Sequence, residues 1–269
     1  MSEESIIVSK EQQWQLAQIS NLLLLAISLP SILSPHIDKK LYGTKEYRTK
    51  DKNSLKAVRY NGQLANLGTL SLVLAWWSHA EKGLTVEEAI GVAGIPWFVF
   101  ALHAYLNELM VKMGRSNKGP ITILVLNGIA IVATLIDNTL PQNVVTWIVK
   151  ALSIFLMANG VSFVLIPALI SPIYGLPTNE EDHVIVARQR TGSTMSALGV
   201  FYAGLLWGAT HFLALGMAWA TVFIATLFIV PGYRRVKVKM SAMYTWLVVM
   251  GFVASVLSYQ QPSTVEETA

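Results

Sequence analysis

Apolar segments of membrane length follow one another along almost the whole chain, at roughly Trp14–Leu33, Val58–Trp77, Ala89–Val111, Pro120–Ile136, Val144–Ile170, Thr191–Phe212, Met217–Val230 and Ser241–Ser258. Lipid offers no hydrogen-bond partner, so a segment that crosses it must satisfy its backbone internally, and the helix does this. The expected fold is all-α, a polytopic membrane protein of about eight transmembrane helices. The seventh segment is short, with a tight turn expected around Gly216 before it, and the fifth is long enough to tilt or to be bent by Pro167. Composition supports the class: 53% of residues are hydrophobic and 13% are charged, about half the charge of an ordinary soluble domain. The start of the chain reads as retained, because Glu3, Glu4 and Lys10 replace the basic region of a cleavable signal.

Loop charges test the count independently. Basic residues fall after the first span (Lys39, Lys40, Lys45, Arg48, Lys50, Lys52, Lys56 and Arg59) and after the third (Lys112, Arg115 and Lys118). More follow the fifth (Arg188 and Arg190) and the seventh (Arg234, Arg235, Lys237 and Lys239). With eight crossings, seventeen of the twenty basic residues share one side, leaving Lys10, Lys82 and Lys150. The positive-inside rule then puts both termini on the outer or lumenal side; which membrane is involved stays open. The net charge of +4 is accounted for by topology, and no nucleic-acid partner is expected.

A phrase occurs twice, as Leu29-Pro30-Ser31-Ile32-Leu33-Ser34-Pro35 and Ile166-Pro167-Ala168-Leu169-Ile170-Ser171-Pro172. Each copy closes an apolar segment and precedes a Tyr-Gly step, Tyr42-Gly43 or Tyr174-Gly175. Gly62, Leu67-Gly68 and Trp76 then match Gly192, Leu198-Gly199 and Trp207 at nearly equal spacing. This predicts an internal repeat: two tandem four-helix units, residues 1–139 and 140–269. Because each unit has an even number of spans, the copies run parallel. Trp76, Trp77, Trp147, Trp207 and Trp219 are expected near the outer interface.

Polar groups at bilayer depth are candidates for function. His103, Asn107 and Glu108 sit on the third span. His103 and Asn107 share a helix face, and a His near a carboxylate suits proton transfer, metal binding or ligand recognition. The alternative is hydrogen bonding to a neighbouring helix, with His103 and Asn107 facing protein and Glu108 near the basic surface beside Lys112. Arg59 and Asn61 open the second span as Arg188 and Arg190 open the sixth, so each copy offers basic and polar groups to a lipid phosphate or an acidic partner. Arginines there also simply snorkel. Lys150 is expected to snorkel outward past Trp147, and Asn127, Asn159 and Ser162 to join helices. Glu180, Glu181, Asp182 and His183 read as a solvated charge run.

Enzyme signatures are missing: there is no H-E-x-x-H, G-x-S-x-G or Walker loop, and no lysine in the last span to hold retinal. With no cysteine, thiolate chemistry is excluded. No catalytic residue, metal site or cofactor is assigned.

In Lys40-Leu41-Tyr42-Gly43-Thr44-Lys45, Arg59 with Gly62, Phe100-Ala101-Leu102-His103 with Asn107-Glu108-Leu109, and Gly119-Pro120, the first half resembles the small four-helix scaffold proteins of endoplasmic-reticulum sterol biosynthesis. The second half keeps the span pattern but has no match to His103–Glu108, and the doubled form departs from that family's single unit. The resemblance implies a non-catalytic role holding membrane enzymes together. Two functions are therefore expected to compete: a non-enzymatic scaffold or accessory subunit contacting membrane lipids and other membrane proteins, and a transporter or lipid- or small-molecule-binding carrier with a site near His103. An intramembrane enzyme using His103 and Glu108 is the weakest alternative.

Overall fold

The computed structural model describes residues 8–34, 52–136, 139–177 and 180–259, and the regular structure among them is helical, without a strand. Eight long helices carry it: α1 Lys10–Leu33, α2 Lys52–Trp76, α3 Val86–Leu106, α4 Lys118–Ile131, α5 Gln142–Leu165, α6 Asp182–Leu206, α7 His211–Arg235 and α8 Met240–Leu257. Six of these, all except α2 and α6, are long and apolar enough to cross a membrane. This is the architecture of an integral, multi-pass membrane protein.

The two exceptions are the innermost helices. α2 and α6 pack along each other; α2 also packs on α1 and α3, and α6 on α5 and α7. Both are buried over most of their length, with Asn61, Asn66 and Ser71 inside on α2 and Thr191, Ser193 and Ser196 inside on α6. A helix enclosed by other helices has little lipid to face, so its hydropathy can fall without exposing a polar group to hydrocarbon. Sequence hydropathy overstated how alike the eight segments are for this reason.

Contacts fix the relative directions. The Gln63 side chain donates to the Ile32 carbonyl at 2.9 Å while Trp14 packs on Trp76 at 5.4 Å, so α1 and α2 are antiparallel. On α2 and α6 the contacts advance together: the Thr191 hydroxyl donates to the Asn61 carbonyl at 2.8 Å, and Gly68 lies against Thr194. The central pair is parallel. At one end of the bundle, Gln13 of α1 donates to the carbonyls of Val256, within the last turn of α8, and Tyr259, beyond it. At the other, Arg235 pairs with Asp182 at 3.3 Å.

Local chemistry explains the boundaries. Ser9 and Thr85 open α1 and α3 with capping boxes completed by Gln12 and Glu88. The turn expected at Gly216 lies earlier, at residues 207–210. Gly208 there adopts a left-handed φ of 88°, and the Thr210 hydroxyl accepts from the Leu213 amide at 3.2 Å to start α7. Gly216 is inside α7, and the seventh helix is not short. Pro167 ends α5 at Leu165, because it has no amide to donate and its ring crowds the preceding turn; a single turn, Pro167–Ile170, follows. Pro30 is carried within α1. In both copies of the repeated phrase, the later serine closes the proline turn: the Ser34 amide donates to the Pro30 carbonyl, and the Ser171 amide to the Pro167 carbonyl.

The five tryptophans divide. Trp77, Trp147 and Trp207 are exposed, and the Lys150 ammonium lies 5.8 Å from the Trp147 ring and 5.5 Å from that of Trp207. Trp76 and Trp219 are core residues instead, 2% and 4% exposed. Trp14 of α1 sits between Trp76 and the edges of His211 and Phe212, locking α1, α2 and α7 together.

Candidate functional site

Two cavities flank the central α2–α6 pair. The larger, about 110 Å³, is enclosed by α1, α2, α6, α7 and α8 and is lined by Asn66, Arg190, Trp219, Tyr233 and Trp246 among others. The smaller, about 70 Å³, lies on the opposite flank, among α2, α3, the start of α4, α5 and α6. It has the more concentrated charge.

Three segments far apart in sequence assemble that charge. The loop after α3 turns at Gly114, whose φ is 71°, and presents Arg115. The connection after α5 turns at Tyr174-Gly175 and reaches Glu180. The first turns of α6 present Arg188. Glu180 accepts from Arg115 through one carboxylate oxygen and from Arg188 through the other, making a carboxylate bridge between two guanidinium groups. All three side chains are buried, at 6%, 5% and 3% exposure for Arg115, Glu180 and Arg188. Arg188 also donates to the Ser171 hydroxyl, which itself donates to the Pro167 carbonyl. The serine of the second repeated phrase thus orients an arginine.

Gly175 holds the two loops together. Its φ of 64° is left-handed, its carbonyl accepts from the Ser116 amide at 3.4 Å, and a Cβ there would collide with the Ser116 side chain. The Tyr174 hydroxyl donates to the Asn159 side-chain oxygen, tying this turn to α5.

Part of the polar capacity around the cavity is unused. Nη1 of Arg115, Nε of Arg188, the Tyr60 hydroxyl and Nε1 of Trp97 are buried without a hydrogen-bond partner, and all four residues line the cavity. Buried polar atoms are nearly always partnered, so four around one space mark it out. The arrangement suits binding of an anion.

The residues singled out by sequence are dispersed. Asn61 and Arg188 line the smaller cavity, Arg190 the larger, and Arg59 lies half-buried at the start of α2. His103 and Asn107 do not turn into the bundle as expected: both are exposed, and they contact each other, with Asn107 Nδ2 3.1 Å from His103 Nδ1 and 2.9 Å from its carbonyl. Asn107 is the last cap of α3, so its amide satisfies its own helix end. Glu108 is exposed and takes a φ of 51°, leaving the helix. The amides of Asn127 and Asn159, and the Ser162 hydroxyl, likewise bond to carbonyls of their own helices.

Local sequence marks neither Arg115 nor Glu180: Arg115 is one of many loop cations and Glu180 begins an acidic run that reads as solvated, so the tertiary contact alone reveals their burial. Comparison with protein-family models, curated proteins and solved structures finds no match to this chain.

Proposed function

We propose that the chain is a non-enzymatic membrane scaffold or accessory subunit, built as two tandem four-helix units that together cross the bilayer eight times. The helix pairing supports the tandem reading. α1 packs on α2 as α5 does on α6, α2 on α3 as α6 on α7, and α3 on α4 as α7 on α8. A parallel α2–α6 pair lies where two such units would meet.

The observation that carries the scaffold role is the outward-facing His103–Asn107 pair. It stands on an apolar helix beside exposed Leu102, Tyr105 and Leu106. An imidazole on such a face gains no hydrogen bond from lipid, whereas a polar side chain on a partner helix supplies one. The likeness of this stretch to sterol-biosynthesis scaffolds supports the same role.

His103→Leu is expected to change the thermal stability of the isolated protein little, by no more than ~0.5 kcal/mol, as for an exposed position. It should also strip a partner membrane protein from the chain during purification in gentle detergent. A chain that purifies alone with His103 intact contradicts the proposal.

A carrier is the second reading, favoured by the cavities beside α2 and α6. His103 lines neither, so a carrier of this form uses the arginine-lined space instead.

A further inference from the structure

We infer that the smaller cavity is a binding site for an anionic lipid with an uncapped phosphate head, the head held by Arg115 and Arg188 and the apolar part lying between α3, α4, α5 and α6. The site stands independently of the scaffold proposal.

Charge is the first argument. Glu180 is shared by two arginines, so the buried cluster carries one net positive charge. An uncompensated buried charge is costly, and an anion offsets it. Donors are the second. Arg115 Nη1, Arg188 Nε, the Tyr60 hydroxyl and Trp97 Nε1 all give hydrogens, and none has a protein acceptor. A phosphate group presents several acceptor oxygens and pairs well with guanidinium forks.

The third argument is what lies beyond the donors. Leu64, Phe155, Phe163 and Met195 make most of the remaining wall. A further cavity of about 30 Å³ shares Trp97, Ile123, Phe155 and Met195 with it; Leu126, Leu152, Leu156 and Leu198 make most of its remaining wall, with Asn127 and Tyr202. A charged space beside a mainly apolar one, with Phe155 and Met195 between them, fits an amphiphile better than a free anion. The position agrees: Arg115 and Glu180 lie on connections at the end of the bundle that gathers the basic residues, where lipid phosphates of an inner leaflet are found.

The test uses the full-length protein in a neutral detergent, titrated with short-chain phosphatidic acid, with phosphatidylcholine of equal chain length, and with inorganic phosphate at matched ionic strength. Thermal midpoint and the apparent Kd are the readouts. Phosphatidic acid is expected to raise the midpoint, with phosphatidylcholine at least tenfold weaker and inorganic phosphate without effect in the same range.

Two variants leave the ion cluster intact and so should fold. Tyr60→Phe removes one unpaired donor and should weaken phosphatidic acid about fivefold. Ile123→Trp crowds the boundary with the apolar space and should abolish the preference for the lipid over inorganic phosphate. Equal shifts from the two lipids, a full shift from inorganic phosphate alone, or binding unchanged in both variants overturns the inference.

Discussion

Glu180→Gln should be among the most damaging single substitutions in this protein, lowering stability by about 3–5 kcal/mol. The neutral amide still offers an oxygen, but it removes the charge that compensates Arg115 and Arg188, which are 6% and 3% exposed. Two guanidinium groups would then face each other in a buried space. Removing one charge from a buried network costs more than its intact form contributes, because the partners stay desolvated. The double variant Glu180→Gln with Arg115→Gln should recover much of the loss by removing one of the stranded charges. Urea or thermal unfolding of the four proteins of this cycle measures the coupling. Additive losses would mean that the residues do not act as a unit.

The second large effect is expected along the seam between α5 and α6, where backbones meet without intervening side chains. A Cβ on Gly192 would stand 2.6 Å from the Gly160 carbonyl oxygen and 2.7 Å from the Phe163 Cβ. On Gly199 it would stand 2.7 Å from both the Met157 amide and the Ser153 carbonyl oxygen. Most of these neighbours are backbone atoms of a facing helix, so they cannot swing aside. Small residues at such a crossing are what permit helices to pack in lipid. Gly192→Leu should therefore force the helices apart and cost about 3 kcal/mol or more, in the upper range for overpacking. Gly119→Ala, at a glycine with open space around it, serves as the control and should be near neutral. Because Ala and Leu are both better helix formers than Gly, propensity alone would stabilise either variant, and a Gly192→Leu protein as stable as Gly119→Ala would contradict the close seam.

The helical class and the rough positions of the apolar segments are legible because hydropathy reports contact with lipid, but the expected sixth segment, Thr191–Phe212, runs across the turn that separates α6, Asp182–Leu206, from α7. The same property hid the special position of α2 and α6, whose polar side chains are tolerated inside a protein layer. It also misplaced the turn before α7, where Gly216 drew attention and Gly208 with Thr210 does the work.

The arginine cavity was only partly legible. Arg188 stood out through its place at the head of α6, and Ser171 through the repeated phrase, but nothing local marks Glu180 as buried or links it to Arg115, 65 positions away. His103 and Asn107 were visible as polar residues on one helix face. Which way that face points depends on the packing of the whole bundle, and it points outward.

The placement of α2 and α6 as crossings is the central structural claim of the proposed architecture, since these two helices lack the apolarity of the other six. The chain has no cysteine, so single cysteines can be introduced and labelled in intact vesicles with an impermeant reagent. Lys56→Cys lies in the second turn of α2 and Lys82→Cys beyond its far end, while Asp182→Cys is the first residue of α6 and Ala209→Cys lies beyond its far end. Positions 56 and 182 should label from the inner side, and positions 82 and 209 from the outer side. Labelling of 56 and 82, or of 182 and 209, from the same side would contradict eight crossings and the two-unit architecture with them.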